Sequence, residues 1–265
     1  MTTDIGLDLS KLTTSSVAYS TPFPHPGGWA MSEDACRLVV TFIRWVRPRW
    51  VLEFGSGFSS IVIASELMRH QAGRLDSIDN ALHWTQAARE MAQKQGLLER
   101  MEFHCFSLGL RIYHGLPCVF YKIPSTFYKC RGPYDLVIVD GPHVDVGREG
   151  ALLESFSRLK VGGYMILDDC RSDFMKRTLA RWNLVFRHSF VYAEASDVGN
   201  GVGIIRKVED LSLEFFCVPI RFWILEWLRT ARNLFRVHRL DLNAGAAGER
   251  RGRVDPQQRR GTLSR

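Results

Sequence analysis

The 265-residue sequence lacks several features that would assign a protein to a class at once. Its six cysteines include no C-x-x-C pair, which argues against the common zinc-binding and dithiol redox spacings. No uncharged run reaches the roughly 18 residues of a membrane-spanning helix. The first 20 residues contain neither the basic nor the apolar stretch of a secretory signal. We therefore expect a cytoplasmic protein whose cysteines are reduced.

The first 220 residues carry no net charge, although the whole chain carries +7. The excess lies in two C-terminal stretches. Residues 221–240 hold five arginines and one acid, and residues 244–265 hold six arginines and two acids. A neutral body gives no reason to expect a nucleic-acid partner, because phosphate binding needs basic groups near the site.

A third glycine is missing from the most informative stretch, residues 50–60 (WVLEFGSGFSS). An apolar run is followed by Gly55 and Gly57, and residues 61–70 then show helical periodicity. This pattern predicts a strand, a glycine turn and a helix, with backbone N–H groups turned toward a ligand. The dinucleotide fingerprint requires glycine where this chain has Ser60, so the turn suits a pyrophosphate poorly.

Two acids accompany this turn. Glu53 lies on the strand before it, and Asp79 follows Gly57 by 22 residues, after a second strand-like run at 74–78. A doubly wound nucleotide-binding fold places such a second acid on a ribose diol. The alternative for Asp79 is a helix cap. A ligand with an amino-acid end near Glu53 and a ribose near Asp79 is S-adenosylmethionine.

Strands and helices alternate along the rest of the chain, which predicts an α/β fold with a doubly wound, mostly parallel sheet. Residues 109–132 show no clean period, and we predict an irregular insertion there that shapes a substrate site. The further predicted strands are 101–106, 134–140, 164–167, 183–193 and 201–207. The further predicted helices are 32–46, which Ser32 would cap, 81–95, 147–159 and 174–181.

Polar side chains end these strands or follow them directly. Three acids, Asp140, Asp168 and Asp169, are predicted to hold a divalent cation such as Mg²⁺ or Mn²⁺, since hard cations take oxygen ligands. The alternative is that each acid caps a helix. His143 is a candidate general base three residues after Asp140, with Asp140 as the rival base and a turn histidine as the alternative.

Taken together, four segments resemble class I S-adenosylmethionine-dependent methyltransferases, over roughly residues 28–207. They are 51–57 (VLEFGSG), 77–79 (SID), 134–143 (YDLVIVDGPH) and 159–169, which begins LKVGGY and ends in the pair Asp168-Asp169. The resemblance implies a Rossmann-like methyltransferase fold with seven strands, the last two forming an antiparallel hairpin.

Within that superfamily, Asp140 with the Asp168-Asp169 pair is similar to metal-dependent sugar O-methyltransferases of the macrocin and novobiocin type. The Gly141-Pro142-His143 sequence departs from the Gly-Asp-His of that group and also resembles the Asp-Gly-Pro of glucuronoxylan-type enzymes. The residues that the comparison predicts to bind S-adenosylmethionine are Glu53, Gly55, Ser56, Gly57, Ser59, Ser60, Asp79, Asn80, Ser107, Leu108 and Asp140, with Ser107 and Leu108 at the adenine edge.

The expected function is therefore S-adenosylmethionine-dependent, metal-assisted O-methyl transfer to a hydroxyl of a small molecule or saccharide. One alternative is a metal-independent N- or O-methyltransferase. Another is a scaffold that binds S-adenosylmethionine without turnover. A nicotinamide oxidoreductase is disfavoured by Ser60.

The segments around the core, residues 49–207, have their own predictions. Residues 1–20 read as a flexible lead-in, and 21–48 as a proline-rich lid, with His25 or Trp29 reaching inward, followed by a cap helix. Residues 208–243 contain an amphipathic basic helix, and 244–265 a disordered basic tail. Residues 211–240 would dock on the body, join a second subunit or lie on an anionic membrane.

Overall fold

The computed structural model describes residues 25, 28, 30–143, 146–210 and 219–252. The predicted lead-in and most of the predicted lid, including Trp29, lie outside the described residues. The helices are α1 (Glu33–Val46), α2 (Phe58–Arg69), α3 (Leu82–Lys94), α4 (Gly150–Ser155), α5 (Asp173–Phe186) and α6 (Ile220–Gly252). The strands are β1 (Trp50–Phe54), β2 (Arg74–Asp79), β3 (Met101–Cys105), β4 (Leu108–Tyr113), β5 (Leu116–Tyr121), β6 (Tyr134–Val139), β7 (Leu159–Leu167), β8 (Phe190–Ala195) and β9 (Val202–Lys207).

Seven of these strands form one sheet in the order β3-β2-β1-β6-β7-β9-β8. The first five are parallel, whereas β9 runs antiparallel to both β7 and β8. The predicted doubly wound, mostly parallel sheet with a final antiparallel hairpin is confirmed. Because the strand order reverses between β1 and β6, the turns after these two strands meet at one edge, where such folds bind ligands.

Alternate residues of the central strands feed two apolar layers, one on each face of the sheet. Val51 packs with α1, α2 and α3, whereas its neighbours Leu52 and Phe54 pack with β5, α4 and α5. The helix predicted at 32–46 is confirmed as α1. Ser32 caps it as predicted, since its hydroxyl accepts a hydrogen bond from the Ala35 N–H at 3.2 Å. Both layers hold the ends of β1 and β6 in fixed positions.

The prediction of an irregular insertion at 109–132 is wrong over residues 109–121. Strands β4 and β5 form an antiparallel hairpin, joined by His114 and Gly115, which both have positive φ angles. Two such residues make the tight turn that suits a hairpin. Every residue of β5 is buried, so the strand shows no apolar alternation in the sequence. Gly115 was the feature of the local sequence that could have indicated the hairpin turn.

The strand predicted at 183–193 is wrong over its first half. Helix α5 continues to Phe186, and β8 begins only at Phe190. Trp182, Val185 and Phe186 recur at helical spacing and pack in the second apolar layer, which a strand could not achieve. The helix predicted at 147–159 is shorter than expected, since α4 covers six residues.

Helix α6 begins directly after Pro219, as predicted, and runs on to Gly252. It thus enters the segment for which we predict disorder, because the alanines and charged residues of 244–251 favour helix more than the glycines oppose it. Residues 253–265 lie outside the described residues. Among the helices described, none is both long enough and apolar enough to span a bilayer.

Candidate active site

The turns after β1 and β6 lie against each other at two glycines. A Cβ atom on Gly55, whose φ is +102°, would lie 2.8 Å from the Gly141 nitrogen, and one on Gly141 would lie 2.8 Å from the Gly55 Cα. Only glycine fits at either position. A Cβ on Gly57 would meet nothing within 4 Å. This side of the turn is therefore open to a ligand.

Glu53 is buried next to the glycine turn and is hydrogen-bonded to the residues that follow it. Its buried carboxylate accepts hydrogen bonds from the hydroxyls of Ser59 at 2.6 Å, Ser60 at 2.5 Å and Ser77 at 2.7 Å. Burial raises the pKa of Glu53 to about 7, against the opposing effect of these three donors. The structure encloses Glu53, Ser59 and Ser60, so their direct contact with a cofactor stays a prediction.

Ser60 stands where a dinucleotide-binding turn has glycine, and its hydroxyl accepts a hydrogen bond from the Gly57 N–H at 3.0 Å. In a pyrophosphate site, N–H groups at such a helix start would face the phosphates. Here a side chain takes up that donor. The geometry agrees with the sequence argument against a dinucleotide.

Asp79 ends β2 beside the turn. Its carboxylate accepts hydrogen bonds from the backbone N–H of Ser56 at 2.9 Å and of Ala81 at 2.6 Å, and the Asn80 N–H also contributes. Burial nevertheless raises the pKa of Asp79 above its usual value. Each oxygen keeps a lone pair, so the carboxylate both fixes the start of α3 and can accept hydrogen bonds from a ligand.

The three predicted metal ligands come together. Asp140, Asp168 and Asp169 each offer a carboxylate oxygen, and these oxygens lie within 4.8 Å of one another. Asp140 follows β6, and the other two follow β7, which is its neighbour in the sheet. The convergence at one sheet edge is as the sequence predicts.

The sequence analysis missed Arg148, whose buried guanidinium lies among these acids. It is 3.0 Å from the Asp169 carboxylate and 3.4 Å from that of Asp140. It also donates to the backbone carbonyls of Asp140 at 2.7 Å, Pro142 at 3.0 Å and Asp168 at 3.0 Å. Nothing in the local sequence distinguishes this arginine from a surface residue.

Three carboxylates and one guanidinium leave two negative charges if all the acids are ionised. Burial and mutual repulsion raise the pKa of Asp168 to about 6, and they also raise the pKa of Asp140 against the pull of Arg148. A divalent cation would balance the remaining charge, and carboxylate oxygens are the donors that Mg²⁺ and Mn²⁺ prefer. The residues therefore fit such an ion.

The remaining predicted residues border this edge. His143 is exposed, and its backbone carbonyl accepts from the N–H of Val146 at 2.9 Å. Asn80 and Ser107 are exposed and Leu108 is half-buried. The loop that carries Ser107 is fixed next to Asp79, because the Phe106 N–H donates to the Asp79 carbonyl at 2.9 Å. The predicted ribose and adenine positions are thus adjacent.

Tyr121 is a second residue that the sequence analysis missed. It ends β5, and its buried hydroxyl has no hydrogen-bond partner among the described residues. A Cβ on Gly141 would lie 2.6 Å from that oxygen, which places it beside the two touching glycines. Unpaired buried hydroxyls are rare, and here the group lies beneath the turn that faces the ligand side.

Comparison with known proteins agrees with this geometry. Residues 52–170 match the family model described as a methyltransferase domain. A methyltransferase from Podospora anserina, bound to S-adenosylhomocysteine, shares 17% identity with a TM-score of 0.50, covering 68% of this chain and 81% of its own. No curated protein matches the sequence.

Two further solved structures have the same fold. The O-methyltransferase of tomaymycin synthesis from Streptomyces achromogenes, in complex with S-adenosylmethionine, shares 18% identity with a TM-score of 0.52, over 68% of this chain and 82% of its own. An O-methyltransferase from Bacillus cereus, in complex with S-adenosylhomocysteine, shares 13% with a TM-score of 0.51, over 68% and 84%. Part of the chain therefore matches a methyltransferase domain, and the chain has the fold of these methyltransferases.

Proposed function

We propose that the protein transfers a methyl group from S-adenosylmethionine to a hydroxyl of a small molecule or saccharide, assisted by a divalent cation. The observation that carries this proposal is the group of Asp140, Asp168 and Asp169 beside the open glycine turn. Asp140 follows β6, which is paired with β1, and Asp168 and Asp169 follow β7, the next strand of the sheet. An acceptor held by them would lie next to a methyl donor held by the turn.

The cofactor half of the proposal rests on the turn and on Asp79. Two of the structural relatives are bound to S-adenosylhomocysteine and one to S-adenosylmethionine. In this chain Gly55, Ser56 and Gly57 would supply backbone at close approach, Asp79 would accept from the ribose, and Ser107 with Leu108 would border the adenine. S-adenosylmethionine carries its methyl group on a positively charged sulfur. Because this sulfur is a good leaving group, the methyl group is readily transferred.

The protein's own task is then to activate and aim the acceptor hydroxyl. A divalent ion at the three acids would lower the pKa of that hydroxyl and orient it. His143 lies at the exposed rim after Asp140 and is the residue proposed to take the proton. Asp140 is the rival base, and burial beside the neighbouring acids raises the pKa of its carboxyl above the usual value.

A second candidate is methyl transfer to oxygen or nitrogen without a metal. Arg148 favours it, because its guanidinium already supplies a buried positive charge to Asp140 and Asp169. The acids would then only position an acceptor. The two candidates differ in whether the charge left on the acids is balanced by an ion or by bound protons.

A methyl-transfer assay across a library of hydroxyl compounds and sugars, read out as S-adenosylhomocysteine, tests the proposal. We expect a chelator to abolish activity and Mg²⁺ or Mn²⁺ to restore it. Full activity after chelation, with no metal by elemental analysis, would leave the metal-independent reaction. Tight S-adenosylhomocysteine binding with no turnover on any acceptor would instead favour a scaffold.

A further inference from the structure

The C-terminal helix docks on the body through a stripe whose centre is mostly polar. Over residues 220–239, where the structure describes the side chains of α6, the buried residues are Glu226, Thr230, Asn233 and Val237, which recur at three- and four-residue steps and so form one face. Three of the four are polar. The Thr230 hydroxyl donates to the Pro117 carbonyl at 3.0 Å, directly on strand β5. The half-buried Phe222, Trp223 and Leu234 pack against the apolar core at the edges of this stripe.

Charged groups fix this docking. The Arg229 guanidinium lies 3.3 Å from the carboxylate of Glu149, which also accepts from the Asn233 side chain at 3.3 Å. Arg229 pairs in addition with Glu226 on its own helix. Arg181 of α5 completes the cluster at 3.8 Å from Glu226. Several buried partners therefore determine which face of α6 points outward.

The outward face carries the large apolar side chains. Trp227 is 46% exposed, Leu228 64% and Phe235 60%. Ile220 and Ile224 extend the same row toward the start of the helix, at 79% and 56%. A row of this kind on one helix face is unusual for surface left in water, where apolar residues normally occur singly.

The hairpin next to this helix also exposes apolar side chains. Leu110 and Ile112 of β4 are also exposed. Leu110 lies opposite Val119 of β5, and opposite residues of an antiparallel pair share one face of the sheet. Val119 packs against Val237 of α6, so Leu110 and Ile112 flank the helix on the face that it covers. The hairpin therefore exposes apolar side chains beside the helix that carries the row.

Arginines line one edge of this surface. Arg221, Arg232 and Arg239 are exposed. Around the helix axis they lie about a quarter to a third of a turn from Ile220 of the apolar row. The Arg239 guanidinium lies 5.2 Å from the centre of the Phe235 ring, which joins the basic edge to the apolar row. The one acid of residues 221–240, Glu226, is buried against Arg229 and does not neutralise this edge.

We propose that this surface binds the face of an anionic lipid membrane. Tryptophan and phenylalanine suit the headgroup boundary, and arginines beside them suit lipid phosphates. A second copy of the chain is a poorer occupant, because a twofold interface pairs a patch with itself and residues 221–240 offer these arginines no exposed carboxylate. The polar docking of α6 then holds the catalytic domain at the membrane surface.

Vesicle flotation of the full chain tests this. We expect binding to vesicles of phosphatidylcholine with phosphatidylserine at low salt, weakening as salt rises, and little binding to phosphatidylcholine alone. The double variant R232Q/R239Q should bind about 30-fold more weakly, from the usual contribution of a basic residue near an anionic surface. The matched control K176Q/R177Q removes the same charge from exposed positions on α5 and should bind like wild type.

The apolar row is tested separately. W227E/F235E should lose binding, whereas L184E, a matched change at an exposed position on α5, should not. Lipid-attached bromine should quench the fluorescence of bound wild type more than that of W227F, which keeps an apolar ring. Circular dichroism confirms that each variant is folded. Absence of binding at low salt, or a dimer in solution that W227E/F235E dissociates, would overturn the proposal.

Discussion

The guanidinium of Arg148 lies 3.0 Å from the carboxylate of Asp169, and this contact ties the turn before α4 to the end of β7. Asp169 has a positive φ of +60°, and the Asn200 side chain donates to its carboxylate at 3.1 Å. A non-glycine residue rarely keeps that backbone conformation unless its surroundings hold it there. Arg148 is thus the positive centre about which the acidic turns are arranged.

Replacing Arg148 with methionine should destabilise the protein by about 3–5 kcal/mol, because it leaves buried carboxylates and carbonyls without their donor. Urea unfolding measures this. The loss should be larger at high pH, where the acids are ionised, and R148K should recover part of it by restoring the charge. A methionine variant as stable as wild type at every pH would show that the acids do not depend on the guanidinium.

Replacing Asp79 with alanine should weaken S-adenosylhomocysteine binding by about 2–3 kcal/mol, since charged hydrogen bonds to two ribose hydroxyls are lost. Calorimetry on the folded variant measures the affinity. E90A is the control, because Glu90 is an exposed carboxylate on α3 that belongs to none of the predicted sites. Unchanged affinity in D79A would leave Asp79 as a turn residue for the start of α3.

Local patterns in the sequence predicted the central part of the fold correctly. The run from Trp50 to Gly57 combines a short apolar stretch with two glycines, and neither signal depends on distant partners. Parallel strands that end in acids must bring those acids to one edge, so the meeting of Asp140 with Asp168 and Asp169 follows from topology.

Features that depend on partners far along the chain were not predictable. Arg148 and Tyr121 acquire their positions only when strands β5, β6 and β7 are assembled. The same holds for α6, whose apolar periodicity suggests that the apolar side faces the body. The body instead offers Glu149 and Arg181 at the centre of the contact, where they pair with polar residues of the helix, and only the edges of the contact are apolar.

Glu53 should make the protein less stable as the pH rises. Its pKa is about 7 when folded and 4.5 as the ordinary value, so the folded carboxyl keeps its proton longer. The stability that it contributes is fully present below pH 4.5 and is lost as the pH rises through about 7. The expected loss between about pH 5 and about pH 8 is on the order of 2 kcal/mol.

In urea unfolding, the variant E53Q should lose the part of the pH dependence of stability that comes from Glu53. Asp140 and Asp168, whose pKa values are also raised, should still lower the stability as the pH rises. Glutamine can still hydrogen-bond to the hydroxyls of Ser59, Ser60 and Ser77. A variant with the full wild-type slope would mean that Glu53 is ionised in the folded protein at neutral pH.

Replacing His143 with alanine should lower kcat by roughly 10²- to 10⁴-fold, the usual contribution of a general base, with S-adenosylhomocysteine affinity near wild type. The measurement needs an acceptor from the hydroxyl library and calorimetry for the affinity. D140N is the companion variant. Full kcat in a folded H143A protein would reduce His143 to a turn residue and make Asp140 the base.

The contact between Gly55 and Gly141 gives the two turns a common joint. Backbone meets backbone there with no side chain between, so neither turn can shift without displacing the other. If a bound acceptor displaced the loop after β6, the main chain of the loop after β1 would move with it. Donor and acceptor would then be aligned as one rigid unit, and a methyl group added at either glycine would separate them.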